Sequence, residues 1–135
     1  MNKLSIVIIA KNESINIFEC VKSASFADEV LVIDSGSEDD TIKLAKKAGA
    51  RVLSKKWLGY GAQKNLAIKL AKGDWIFSLD ADERIDTNLA SEIKSAIKNS
   101  LYSVYEVPRK SLFISKFMNF SGWTPDFTRR LFKKG

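Results

Sequence analysis

Four short apolar runs recur along the chain, each separated from the next by a stretch long enough for a helix: LSIVIIA (4–10), EVLVID (29–34), ARVLS (50–54) and DWIFSLD (74–80). The first is continuous and β-branched, as suits a strand covered on both faces. After it, Ile17, Val21 and Ala24 recur at helical spacing, with Asn12 or Ser14 as the cap. SEDD (37–40) reads as a capping box that opens a helix to about Ala48, with Gly49 as its stop. A loop holding Trp57, Gly59, Tyr60 and Gly61 leads to a helix from near Gln63 to Lys72, ended by Gly73. Asp86 or Thr87 opens another, with Leu89, Ile93 and Ile97 on one face. Strand alternating with helix predicts right-handed βαβ units. The expected class is α/β, a mostly parallel sheet with helices on both faces. YSVYEVP (102–108) alternates instead, predicting a strand with one solvated face.

The composition removes several kinds of chemistry. The 135 residues suffice for one domain with a real core. There is no His and one Cys, which excludes a disulfide scaffold, a Cys/His zinc site and Ser-His-Asp or Cys-His catalysis. A bound metal must accept oxygen ligands, which points to Mg, Mn or Ca. No apolar run approaches the roughly 20 residues of a membrane span. The run from Leu4 to Ala10 is short for a signal segment, and no small-residue cleavage site follows, so a cytoplasmic protein is expected. The net charge of +6 lies entirely after Pro108, where seven basic residues face one acid. That imbalance suits an anionic surface or phosphorylated substrate, and equally an ordinary solvated face. No nucleic-acid partner is expected. A dehydrogenase is disfavoured, because no G-x-G-x-x-G follows the first run.

In open α/β sheets, ligands bind beyond the carboxyl ends of the strands. Those ends read Ala10-Lys11-Asn12-Glu13, Asp34-Ser35-Gly36-Ser37 and Asp80-Ala81-Asp82-Glu83. Asp34 can accept hydrogen bonds from a base or ribose, or it can cap its own turn. Asp80 and Asp82 flank a small Ala81. In an extended segment alternate residues share a side, so both carboxylates can face one ligand. A divalent cation would offset their repulsion and neutralise a diphosphate. The plainer alternative is an acidic loop ahead of a helix, favoured by the helix dipole. Lys64, near a helix start beside a glycine loop, is placed for phosphate; Lys69 and Lys72 read as surface lysines.

SIVIIAKNES, VLVIDSGSEDDT and GAQKNLAIKLAKGDWIFSLDADE, in that order, resemble the family 2 glycosyltransferases of the GT-A fold (nucleotide-diphospho-sugar transferases, Rossmann-like). With GWTPDFTRRLFKKG, they resemble more narrowly the bacterial branch of lipopolysaccharide core β-1,4-glucosyltransferases. The resemblance implies inverting transfer of a sugar, glucose for example, from a UDP-linked donor to a cell-surface glycan acceptor, with Mg or Mn. It implies that Ala10, Asn12 and Glu13 line the nucleotide pocket and that Asp34 contacts base or ribose. It places Lys64 near base or diphosphate, Asp80 at ribose, sugar or metal, and Asp82 at the metal. It also implies a lipid-linked, anionic acceptor, with peripheral contact at the inner membrane face.

Two departures stand out. Many members carry a second Asp where this chain has Ser35. The family's catalytic base lies well beyond the Asp-x-Asp, usually further than this chain extends. Asp126 is the only acid after Glu106 and the candidate base here, although TPD also reads as a turn. The expectation is an N-terminal fragment, with donor binding in 1–108 and the start of an acceptor-side region in 109–135. Phe120, Trp123 and Phe127 would serve that region or pack in a core. Enzymes that make nucleotide sugars favour a Gly-rich first loop, which AKNESIN is not. The non-enzymatic alternative is a nucleotide- or Mg-binding domain, either receiver-like or a donor-binding fragment without turnover. A receiver needs an acidic pair near the first strand, where only Glu13 is available.

Overall fold

A computed structural model describes residues 2–108, 112–114 and 127–134. Asp126, Phe120 and Trp123 lie outside the described residues. The strands are β1 (Leu4–Ala10), β2 (Glu29–Asp34), β3 (Arg51–Ser54), β4 (Trp75–Ser78), β5 (Glu83–Ile85), β6 (Val104–Pro108), β7 (Leu112–Ile114) and β8 (Phe127–Lys133). The helices are α1 (Ile17–Ser23), α2 (Thr41–Ala48), α3 (Tyr60–Leu70) and α4 (Thr87–Asn99).

Six strands form one sheet in the order β3-β2-β1-β4-β8-β6, and β5 pairs with β7. β3, β2, β1 and β4 run parallel. β8 is antiparallel to both β4 and β6, so the sheet is mixed. The chain winds outward from β1 to β3, then crosses to β4 on the other side of β1. The strand order thus reverses between β1 and β4, and it is beyond the carboxyl ends of strands at such a switch point that ligands bind in open α/β sheets.

The β-branched residues of β1 explain its central place. Ile6 and Ile8 face α1, α2 and α4, in a core with Ile17, Val21, Ala45, Leu89, Ile93 and Ile97. Val7 faces the other way, joining Leu31, Ile33, Ile76, Ala67 and Ala71 beneath α3. Period-two alternation thus feeds two cores, and the expected helices on both faces are present. β6 is an edge strand with Val104 and Glu106 exposed and Val107 buried, in line with its alternating pattern.

Several helix starts differ from expectation. α1 begins at Ile17, and neither Asn12 nor Ser14 caps it; the Glu13 carbonyl accepts from the N–H groups of Asn16 and Ile17. Asn12 instead takes a left-handed conformation, φ 54°, which Asn tolerates better than most residues. SEDD does not act as a capping box, because Ser37 Oγ donates to Asp34 and Asp39 accepts from the Thr41 N–H. α3 starts at Tyr60 and ends at Leu70, earlier at both ends than expected. The run RRLFK (129–133) lies within β8. α4 starts as expected, with Asp86 Oδ1 accepting from the Leu89 N–H at 2.7 Å.

Candidate active site

The carboxyl ends of β1 and β2 form the first half of the rim. Their registers align Ala10 with Asp34, and the Ser35 N–H donates to the Ala10 carbonyl at 2.9 Å. Asp34 is buried, and its carboxylate accepts from the Gly36 and Ser37 N–H groups at 3.0 and 2.9 Å. Gly36 sits at φ 106°, a conformation that glycine adopts without strain. Of the two readings of Asp34, the turn cap is the one its geometry displays. Asn12 ties the two loops together: its N–H donates to Ser37 Oγ and its Oδ1 accepts from the Glu38 N–H, both at 2.8 Å. The Glu13 N–H donates to Thr41 Oγ1 at 2.8 Å, and its Oε1 accepts from Asn16 Nδ2 at 3.1 Å.

The second half gathers at the end of β4. Asp80 is partly exposed; its Oδ1 accepts from the Tyr60 hydroxyl at 3.4 Å, and its Oδ2 lies 3.7 Å from Arg130. Residues 80–83 form a turn closed by the Glu83 N–H on the Asp80 carbonyl at 2.9 Å. The segment is therefore not extended, and alternation along a strand is not what relates Asp80 to Asp82. Asp82, partly exposed, sits within this turn. Both carboxylates act on the buried Cys20 thiol beneath them, whose Sγ donates to the Asp80 carbonyl at 3.4 Å. Burial is the main cause that pushes this thiol far above its usual range, so it stays protonated.

Glu83 does not belong to the exposed charge. It is 2% exposed and forms a two-pronged ion pair with Arg130, at 2.7 and 2.9 Å. Arg130 also donates to the Ser78 carbonyl at 2.8 Å. Burial works against the Arg130 charge, but Glu83, Asp80 and Tyr60 outweigh it and hold the guanidinium above its ordinary value. A protein cation therefore offsets much of the acidic cluster.

Lys64 completes the group, with its ammonium 5.1 Å from the centre of the Tyr60 ring. Burial lowers its pKa; Asp80 opposes that shift, and Arg130 adds to it. The Tyr60 hydroxyl is shifted up by burial and then by Asp80. Gln63 links the two halves. Its buried amide donates to Ser35 Oγ at 3.2 Å and to the Lys55 carbonyl at 3.4 Å, and accepts from the Leu58 N–H at 3.2 Å.

Arg130, Tyr60 and Gln63 were not among the residues expected at the site. Arg130 is brought in by the pairing of β8 with β4, distant in sequence, while Tyr60 and Gln63 lie on α3 but no spacing marks them as site residues. Among the described residues, no group of three or more acidic, Cys or His side chains gathers as a ready-made metal cage. Mg and Mn bind through one or two carboxylates when substrate phosphates complete the shell, and Asp80 and Asp82 are two partly exposed carboxylates at this end of β4. A cavity of about 530 Å3 lies at the opposite rim, where Lys3, Glu29, Arg51 and Gly73 are among its lining residues. Its Glu29 is already engaged by Arg51 at 2.7 Å and by Ser5 at 2.6 Å.

Residues 5–134 match the sequence profile described as Glycosyl transferase family 2. The chain belongs to that family. It is 45% identical over 95 residues to an uncharacterized glycosyltransferase of Rickettsia felis, covering 70% of this chain and 34% of the relative. It is 32% identical over 143 residues to the lipopolysaccharide core biosynthesis glycosyltransferase LpsC of Rhizobium meliloti, covering 98% and 51%. Among solved structures it is similar to glucosyl-3-phosphoglycerate synthase from Mycobacterium tuberculosis in complex with Mn2+, UDP and glucosyl-3-phosphoglycerate. That match has a TM-score of 0.56 at 32% identity and covers 61% of this chain and 34% of the synthase. The fold is GT-A. The chain spans from about a third to about half of the length of these proteins.

Proposed function

We propose that this chain is the donor-binding part of an inverting glycosyltransferase. It moves a hexose such as glucose from a UDP-linked donor to a lipopolysaccharide-type acceptor. The observation that carries this reading is the meeting of Asp80, Tyr60, Lys64 and Arg130 at the carboxyl end of β4, beside the switch point. It is supported by the similarity to a synthase solved with Mn2+ and UDP, and by that to a lipopolysaccharide core enzyme.

Ala10, Asn12 and Glu13 line the nucleoside side. Asp34 acts through the turn it caps, which shapes the rim toward base and ribose. Lys64 faces the diphosphate, where negative charge grows as the sugar leaves. Asp80 and Asp82 would hold Mg or Mn, which when bound supplies charge neutralisation for that leaving group. The general base is an acid outside the described residues, either Asp126 or one in the part of its relatives that this chain does not span. Residues 1–108 carry the donor side, and the stretch from Arg109 begins the acceptor side.

The basic stretch after Pro108 suits an anionic, lipid-linked acceptor at the cytoplasmic face of the inner membrane. Among the described residues, no helix is long and apolar enough to cross a membrane. Titration calorimetry with UDP and Mn2+ tests the reading. Saturable, metal-dependent binding that Asp82→Asn weakens is expected, and absence of UDP binding with Mn2+ present would overturn it.

A further inference from the structure

We propose that Arg130 is a positioning residue, one that sets the Asp80–Glu83 turn and thereby the two carboxylates offered to the metal and diphosphate. The inference rests on the donor-binding reading above and assigns to β8 a part in it. Arg130 is 4% exposed and reaches three points of one loop: both oxygens of Glu83, the Ser78 carbonyl at the end of β4, and the edge of Asp80. Glu83 Oε1, held by Arg130 at 2.7 Å, also accepts from the Asp80 N–H at 2.9 Å. One guanidinium thus fixes the turn from both ends, through the strand before it and the side chain that closes it.

A buried ion pair is often no more stabilising than an apolar pair of the same volume. Its planar, two-pronged form gives orientation instead, which a single ammonium cannot reproduce. The Glu83–Arg130 pair meets that description, and it lies directly behind Asp80. β8 lies within 109–135, the stretch proposed to begin the acceptor side.

The test uses this chain, with Mn2+ and UDP as probes. Arg130→Lys keeps the charge but loses the fork; Glu83→Met with Arg130→Met removes the pair and fills its volume. Mn2+ affinity is read by electron paramagnetic resonance, UDP affinity by calorimetry with and without metal, and folding by thermal melting. Both variants are expected to bind Mn2+–UDP about 10–100-fold more weakly, the range for losing a residue that orients metal ligands. UDP binding without metal should change much less. If folded Arg130→Lys binds Mn2+–UDP as the unaltered chain does, the inference is overturned, whatever its melting temperature. If the double variant fails to fold, Arg130→Lys alone decides. If the unaltered chain binds no UDP with Mn2+, the donor-binding reading fails before Arg130 is in question.

Discussion

At the scale of single residues, the polar groups with the most to lose are those with several partners and no water. Gln63 is fully buried and holds Ser35, Lys55 and Leu58 in one place. Gln63→Ala strands these groups, and a loss of about 2 kcal/mol is expected in urea denaturation. Glu29 offers a pH test. Burial raises its pKa, but the Lys72 N–H, Ser5 and Arg51 outweigh that and leave it below its ordinary 4.5. A depressed carboxyl pKa adds stability that is complete above the unfolded-state value and disappears as pH falls through the folded-state value. Stability should therefore fall on acidification below about pH 4.5, and Glu29→Gln should flatten that part of the profile. Equal slopes for the two proteins in urea midpoints against pH would count against this account.

Among the elements, α4 shows how a local signal survives into the structure. Asp86 is extended at φ −83° and ψ 174°, and its carboxylate takes the Leu89 N–H, while Leu89, Ile93 and Ile97 bury one face. Asp86→Ala should cost about 1 kcal/mol, measured by chemical denaturation. α1 and α2 show the opposite. Their polar starts also join two loops: Asn12 pairs with Ser37 and Glu38, and Asp39 divides its carboxylate between the Ser14 N–H across the rim and the Thr41 N–H at the start of α2. The joining holds the β1 and β2 loops to one another, so the nucleoside side of the proposed site is shaped by residues whose local pattern reads as capping.

For the whole molecule, β8 matters most. It lies between β4 and β6 and pairs with both, although it comes last in the chain. Leu131 is 2% exposed and packs in the larger core, and Arg130 neutralises Glu83. A chain ended at Pro108 would leave the β4 edge unpaired and Glu83 buried without its cation. Removing one partner of a buried pair alone costs about 3–5 kcal/mol, comparable with the whole stability of a small domain. Residues 1–108 by themselves are thus expected to aggregate or to lack a cooperative melting transition. A sharp melt for that fragment in calorimetry would show that β8 is dispensable. The folding unit therefore runs past the boundary proposed at Pro108, through to β8.

The sequence by itself determined the four parallel strands, the helices on both faces and the start of α4 at Asp86 or Thr87, but not the order of the strands in the sheet. These depend on periodicity and nearest-neighbour chemistry, which are local and survive in a one-dimensional string. Asp80 to Asp82 read as extended in sequence but form a turn with Glu83, because such a turn looks the same in sequence as a strand end. Only the tertiary structure decided that Asp34 is spent on its own turn, that Glu83 is buried, and that Arg130 is the cation beside Asp80. The burial of Glu83 beside Arg130 comes from pairing between β4 and β8, more than 50 positions apart in the chain, while the Asp34 turn is closed locally by Gly36 and Ser37. An antiparallel strand inserted from so far away leaves no spacing to read. The charge crowded at the end of β4 was visible from the start; the residue that answers it became visible only when the sheet closed.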